Sequence, residues 1–119
     1  MKESQLRTKS KQYALTIISI CDSIDYKSNR SVLVKQIIRS ATSIGANIHE
    51  ANYSSSKADF INKLHIALKE CEETEYWIEI LAGINAITEI TAKQLLQENG
   101  VIRRMLVKSI NTAKSNLDD

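Results

Sequence analysis

Apolar residues return at every third or fourth position along almost the whole chain, and no proline interrupts them. That spacing is the period of an α-helix, and three glycines in 119 residues leave few places for the backbone to break it. Alternating runs, the signature of strands, are scarce. The pattern predicts an all-α chain. Its length suits a single domain, residues 1–119, that buries about two-thirds of its unfolded surface in one core without a disulfide staple.

Four helical stripes can be read. The first helix is expected over about 4–24, with Leu6, Tyr13, Ala14, Ile17, Ile18, Cys21 and Ile24 buried. After a polar connection at 25–30, a second helix starts behind Asn29 or Ser31 and runs over about 31–52, where Asn52-Tyr53-Ser54-Ser55 breaks it. Ser56-Lys57-Ala58-Asp59 reads as a capping box with the shorter acid, opening a third helix over about 56–84 with Gly83 near its end. Its core stripe is Phe60, Leu64, Ala67, Cys71, Thr74, Ile78 and Leu81. Thr88 is the expected cap of a fourth helix, about 88–113, which carries Leu95, Ile102, Met105, Leu106 and Ile110, with Gly100 as a candidate kink. Short connections make an antiparallel up-down-up-down four-helix bundle the simplest topology, roughly 35 Å long.

Helix 2 carries a second stripe. Val34, Ile37, Ile38, Ala41, Ile44, Gly45 and Ile48 form its apolar face, while Gln36, Arg39, Ser40, Ser43, Asn47 and Glu50 recur at the same spacing. At ~100° per residue the polar set spans about 100° of arc, centred about 150° from the apolar set. Ser and Asn in that stripe cost the helix roughly 2 kcal/mol relative to Ala, because they compete for backbone hydrogen bonds. Either something packs against this face or it is merely solvated. Helix 3 has a second face too, with Asp59, Ile66, Glu70, Glu73, Trp77, Ile80 and Ile84 mixing carboxylates and apolar groups. About a turn near Ser54, Arg39 falls level with Glu70 and Gln36 with Glu73, to pair within a chain or between chains. Apolar anchors with charged registration fit a subunit interface, and the alternative is that Trp77 covers a wide core.

The same residues carry a family resemblance. Arg39-Ser40-Ala41-Thr42-Ser43-Ile44-Gly45-Ala46-Asn47-Ile48, Glu50-Ala51, Ser56-Lys57, Asp59-Phe60-Ile61, Lys63-Leu64, Ile66-Ala67-Leu68-Lys69-Glu70, Glu73-Thr74 and Tyr76-Trp77 resemble the bacterial four helix bundle protein family, also called the 23S rRNA intervening-sequence protein family. The match spans about 34–81, and the first and fourth helices agree in pattern. The resemblance implies a left-handed four-helix bundle that assembles into a ring, typically a homopentamer, with no established enzyme activity. Some members are encoded inside rRNA intervening sequences. A related branch, the accessory variability determinant of diversity-generating retroelements, is a basic pentameric barrel that binds nucleic acid and a reverse transcriptase. Two departures stand out. Many relatives follow the Asn-Ile-x-Glu motif with Gly and a basic residue, where this chain has Ala51-Asn52-Tyr53-Ser54, and the retroelement branch is markedly basic, where this chain carries only +2.

A net charge that small points to no partner by itself, so its distribution decides. Lys2, Arg7, Lys9 and Lys11 begin helix 1, and Arg103, Arg104, Lys108 and Lys114 occupy the second half of helix 4. In the expected bundle these meet at one end. At the other, Glu70, Glu72, Glu73, Glu75 and Glu79 give five acids in ten residues with no base between. The basic end is a candidate surface for RNA or DNA phosphates, or for a nucleic-acid enzyme such as a reverse transcriptase, and the alternative is a purely protein-binding scaffold. Only Tyr13 lies among these residues for base stacking, so sequence-specific single-strand reading is not indicated.

Enzyme chemistry finds little support. Bundle di-iron sites need Glu-x-x-His pairs on two inward faces, and His49-Glu50 is the only near approach. A bundle ribonuclease, the remote third reading, carries an Arg followed by His after four to six residues, and Arg39 is too far from His49. Neither Cys21 nor Cys71 has a His at helical spacing, and no Gly-rich phosphate loop occurs. No catalytic residue, metal or cofactor is therefore expected. Both cysteines sit on apolar faces, as buried free thiols in a reducing cytoplasm would. The start, MKESQLRTKSKQ, has no apolar signal region, and no apolar run is long enough to predict a membrane span.

Overall fold

The computed structural model describes residues 2–27 and 29–116, with side chains described from residue 5 onward. These residues form four α-helices: α1 (Lys2–Asp22), α2 (Arg30–Ala51), α3 (Lys57–Gly83) and α4 (Glu89–Ser115). No strand occurs among them. Each helix lies where its stripe placed it, within a few residues at each end.

The caps explain most boundaries. Ser56 accepts a hydrogen bond from the Asp59 N–H at 3.1 Å and opens α3, and Thr88 accepts from the Thr91 N–H and opens α4. Asn29 precedes α2 without a side-chain capping bond. The end of α3 is a Schellman turn: Ala86 N–H reaches Leu81 C=O at 2.9 Å and Asn85 N–H reaches Ala82 C=O at 3.0 Å. Gly83 is the last residue of α3, as expected, and the left-handed residue that reverses the chain is Asn85, at φ 60°. Gly100 introduces no break, because α4 continues from Glu89 to Ser115.

Cross-helix pairs give the direction of each helix. Along α2 and α3, Arg30 meets the Ile84 carbonyl, Ser40 meets Thr74 and Glu50 meets Lys63, so one number falls as the other rises. Ser10 lies beside Gly45 and Arg7 beside His49 in the α1/α2 pair, while Asn99 reaches Cys71 and Lys57 reaches Asn116 in the α3/α4 pair. Neighbouring helices thus run in opposite directions, packed in the cyclic order α1, α2, α3, α4 with no diagonal contact between backbones. The molecule measures 54 × 22 × 19 Å. It exceeds the expected length of roughly 35 Å because two helices run 27 residues each, about 40 Å at 1.5 Å per residue, and loops extend both ends.

One apolar cluster joins all four helices, from Leu6, Tyr13, Ile17 and Cys21 through Ile37, Ile44 and Ile48 to Leu64, Ile78, Ile102 and Leu106. Three expected members are displaced outward: Ile18, Phe60 and Met105 are half-buried, and Ile61 takes the inward place at the start of α3. The flanking helices set the rotation of each helix about its axis, which a stripe read along one helix does not resolve. Ser10, Ser40, Thr74 and Asn99 are buried polar residues within this core.

Candidate functional site

The second stripe of α2 turns toward α3. Arg39 Nη1 donates to Glu70 at 3.0 Å, its Nη2 to Glu73, and its Nε to Gln36 Oε1 at 3.3 Å. Glu73 Oε2 also accepts from Trp77 Nε1 at 2.9 Å, so one carboxylate ties an arginine of α2 to the indole of α3. Further along, Lys63 meets Glu50 at 3.1 Å. Ser40, expected on the outer face, is fully buried, where it accepts from Thr74 Oγ1 at 2.8 Å. This is a correction with a simple cause: α2 packs between α1 and α3, so its buried arc is wider than one apolar stripe. Ser43 and Asn47 are half-buried, with Asn47 Nδ2 donating to Ser43 C=O.

The mixed face of α3 is only partly covered. Asp59 is half-buried in the first turn, Trp77 packs against the edge of the core, and Ile66 and Ile84 remain exposed. Tyr76 stands exposed with its ring edge-on to Trp77 at 5.1 Å. Paired charges and open apolar groups thus sit side by side on this flank.

Deeper in, Asn99 Nδ2 donates to Tyr13 Oη at 2.9 Å and to Cys71 C=O at 3.2 Å, and Tyr13 Oη donates to Leu95 C=O. Three helices meet at this buried network. Burial pushes the Cys71 thiol up to about 12 and the Cys21 thiol up to about 11, because a thiolate there would lose its water. Both are free cysteines, and thiols so hard to ionise are inert as nucleophiles. Among the described residues, no group of three or more His, Cys, Asp or Glu is placed to hold a metal ion.

The antiparallel register brings the start of α1 and the second half of α4 to one end of the molecule, joined there by the start of α3. Arg7, Lys9, Lys11, Arg103, Arg104, Lys108 and Lys114 are all exposed, and none is paired with a carboxylate among the described side chains. Lys2 belongs to α1, but its side chain lies outside the description. Glu72, Glu73, Glu75 and Glu79 occupy the opposite half with Glu89. The molecule is electrically polar along its long axis.

One feature of the basic end escapes sequence reasoning. Arg7 Nη2 lies 2.9 Å from His49 Nδ1 across the α1/α2 seam, 42 residues apart in the chain. The pair borders a groove of about 630 Å3 that Lys11, Thr42, Gly45 and Ala46 also line. Folding helices 1 and 2 about the 25–30 connection would have set Arg7 level with His49. Arg39, by contrast, lies ten residues before His49 on one helix, about 15 Å away along its axis.

Comparison with known proteins places the chain. The family model for the 23S rRNA-intervening sequence protein matches residues 2–108. The chain belongs to that family. A family relative of solved structure, a protein of unknown function from the S23 ribosomal protein family of Bacteroides thetaiotaomicron VPI-5482, is 41% identical. That comparison covers 93% of this chain and 99% of the relative, with a TM-score of 0.84, so the family fold extends to helices 1 and 4. No curated protein matches the chain. No helix of the described residues is long and apolar enough to cross a membrane.

Proposed function

We propose that this family member is a non-enzymatic subunit that assembles with copies of itself and docks nucleic acid, RNA or DNA, on its basic end. An enzyme that works on nucleic acid, such as a reverse transcriptase, is the protein partner that this reading admits. The observation that carries it is an imbalance of charge along the rod: among the described residues, Arg7, Lys9, Lys11, Lys108 and Lys114 stand exposed without carboxylate partners in one half, with Arg103 and Arg104 near mid-length, while Glu72, Glu73, Glu75 and Glu79 of α3 outweigh Arg30, Lys35 and Lys93 in the other. Such an end lowers the free energy of bringing phosphates close and releases their counterions, with no need to read bases.

Assembly into a homopentameric ring of left-handed bundles is the form the family resemblance favours, and it would multiply the basic end fivefold. Exposed Leu15, Val32, Ile66 and Ile90 supply apolar surface for subunit contacts. The charged pairs of Arg39 and Glu50 are made within the chain, so the apolar residues of the flank would supply the contact, and Arg39, Glu70 and Glu73 would shape its border. Buried free thiols suit a reducing compartment such as the cytoplasm.

A protein-binding scaffold without a nucleic-acid role is the second reading, favoured by the same exposed apolar groups. Two measurements separate these. Light scattering at micromolar concentration should return a multiple of the 13.4 kDa chain, and a stable monomer would refute assembly. Mixed-sequence RNA should bind in dilute salt and weaken steeply as salt rises, whereas no salt-sensitive binding leaves the scaffold.

A further inference from the structure

The groove between α1 and α2 is open because its walls are small. Gly45 faces Ser10, whose Oγ would stand 3.4 Å from a Cβ at that position, and Ala14 and Ala46 add no bulk beyond a methyl group. The helices approach closely here, and about 630 Å3 beside them stays free of side chains. Its rim is cationic. Arg7 and Lys11 stand one helical turn apart on α1, on one face, and both are exposed.

The hydrogen bonding of Arg7 is unusual for an arginine. Guanidinium groups only donate, so in this 2.9 Å contact His49 Nδ1 is the acceptor. No carboxylate among the described side chains neutralises Arg7. The nearest acid in sequence to His49, Glu50, is turned away and held by Lys63 of α3 at 3.1 Å. His49 is in turn backed by the Tyr53 ring, at 5.3 Å between centroids. The result is a guanidinium held at the mouth of a groove by an imidazole acceptor, with no other side-chain partner among the described residues.

We propose that the α1/α2 groove is a phosphate-binding site. Arg7 is the bidentate anchor, since its planar fork matches two oxygens of a tetrahedral oxyanion, and Lys11 is the second cation. His49 orients the guanidinium before the anion arrives. A phosphate oxygen then replaces imidazole as the acceptor, a charge-assisted bond in place of a neutral one, and the small walls admit the rest of the ligand. This locates within the basic end the phosphate contact of the reading above, and rests on it only in taking the phosphate from a nucleic-acid backbone instead of a free phosphate compound.

Fluorescence anisotropy with a labelled mixed-sequence RNA tests it on the full chain. Arg7→Gln and Ala46→Glu should each weaken binding about tenfold or more, and Arg7→Gln should lower the salt slope by about one. Ala46 is an exposed helical position, so the glutamate enters the groove without touching the core; Lys35→Gln, at the other end, should bind like wild type. Inorganic phosphate, added while the His49 ring resonances are followed by NMR, supplies the second arm. Wild-type RNA affinity in both groove variants, with no response of His49 to phosphate, overturns the site and leaves the nucleic-acid reading standing. A saturable His49 response in a protein that binds no RNA upholds the site and removes the nucleic-acid reading.

Discussion

Asn99 occupies a place on α4 where the helical repeat calls for an aliphatic side chain, and only 2% of its surface is exposed. It is tolerated because its amide finds Tyr13 Oη and Cys71 C=O, which turns a buried polar group from a penalty into a tie between three helices. Removing either member should therefore cost unequally. Tyr13→Phe keeps the ring and the bond from Asn99 to Cys71, so urea denaturation should show a loss of about 1 kcal/mol. Asn99→Ala breaks both bonds and leaves a small cavity, with an expected loss of about 2 kcal/mol or more. The double variant should lose less than the two losses added together. The thiols give a pH prediction. Cys71 and Cys21 are raised from 9.0 to about 12 and about 11 by burial, and Tyr13 is raised as well. The unfolded chain ionises first, so the stability these groups contribute is complete below about pH 9 and lost as pH climbs through 11 to 12. The urea midpoint should fall between about pH 8 and about pH 10.5, and fall less in Cys71→Ala. Tyr13 and both cysteines were legible in the sequence; Asn99 and Ser10 were not, since a polar residue on a core stripe reveals its partner only when the neighbouring helix is in place.

At the scale of elements, the α2/α3 seam is where pattern and structure meet best. Arg39, Ser40 and Glu50 of the polar stripe on α2 do meet another helix, and that helix is α3 of the same chain. Arg39→Ala removes the cation shared by Glu70 and Glu73 and frees the carboxylate that holds the Trp77 indole. Arg39 is half exposed, which screens the pair, yet the Glu70 side chain is only 14% exposed and would stay among acids. The expected loss is about 1 kcal/mol in denaturant, with a red shift in emission from Trp77, the sole tryptophan. Unchanged emission would show that the indole does not depend on this link. Helix identity and both hydroxyl caps, Ser56 and Thr88, could be read because each rests on residues a few positions apart. Rotation about the helix axis could not: Phe60 gave way to Ile61, and Ser40 went inside, because two flanking helices decide that angle together. Gly83 does stand at the end of α3, but the left-handed residue of the Schellman turn is Asn85, which the hydrogen bonds identify and the sequence pattern does not.

For the whole molecule, the antiparallel register turns a sequence with a net charge of only +2 into an electrically polar rod. That consequence was legible, since it needs only helix directions. The Arg7–His49 contact was not read, because it needs the lateral order of helices and the depth of the α1/α2 seam. The exposed apolar residues Leu15, Val32, Ile66 and Ile90 are the surface that the proposed assembly would bury. The central claim is that nucleic acid docks on the basic end. Labelled RNA titrated in dilute salt against wild type, against Lys108→Glu/Lys114→Glu and against Lys35→Glu/Lys93→Glu tests it with equal charge changes toward the two ends. The account predicts that the first pair abolishes binding while the second leaves it near the wild-type level. Equal weakening by both pairs, or unweakened binding in the first, would contradict it.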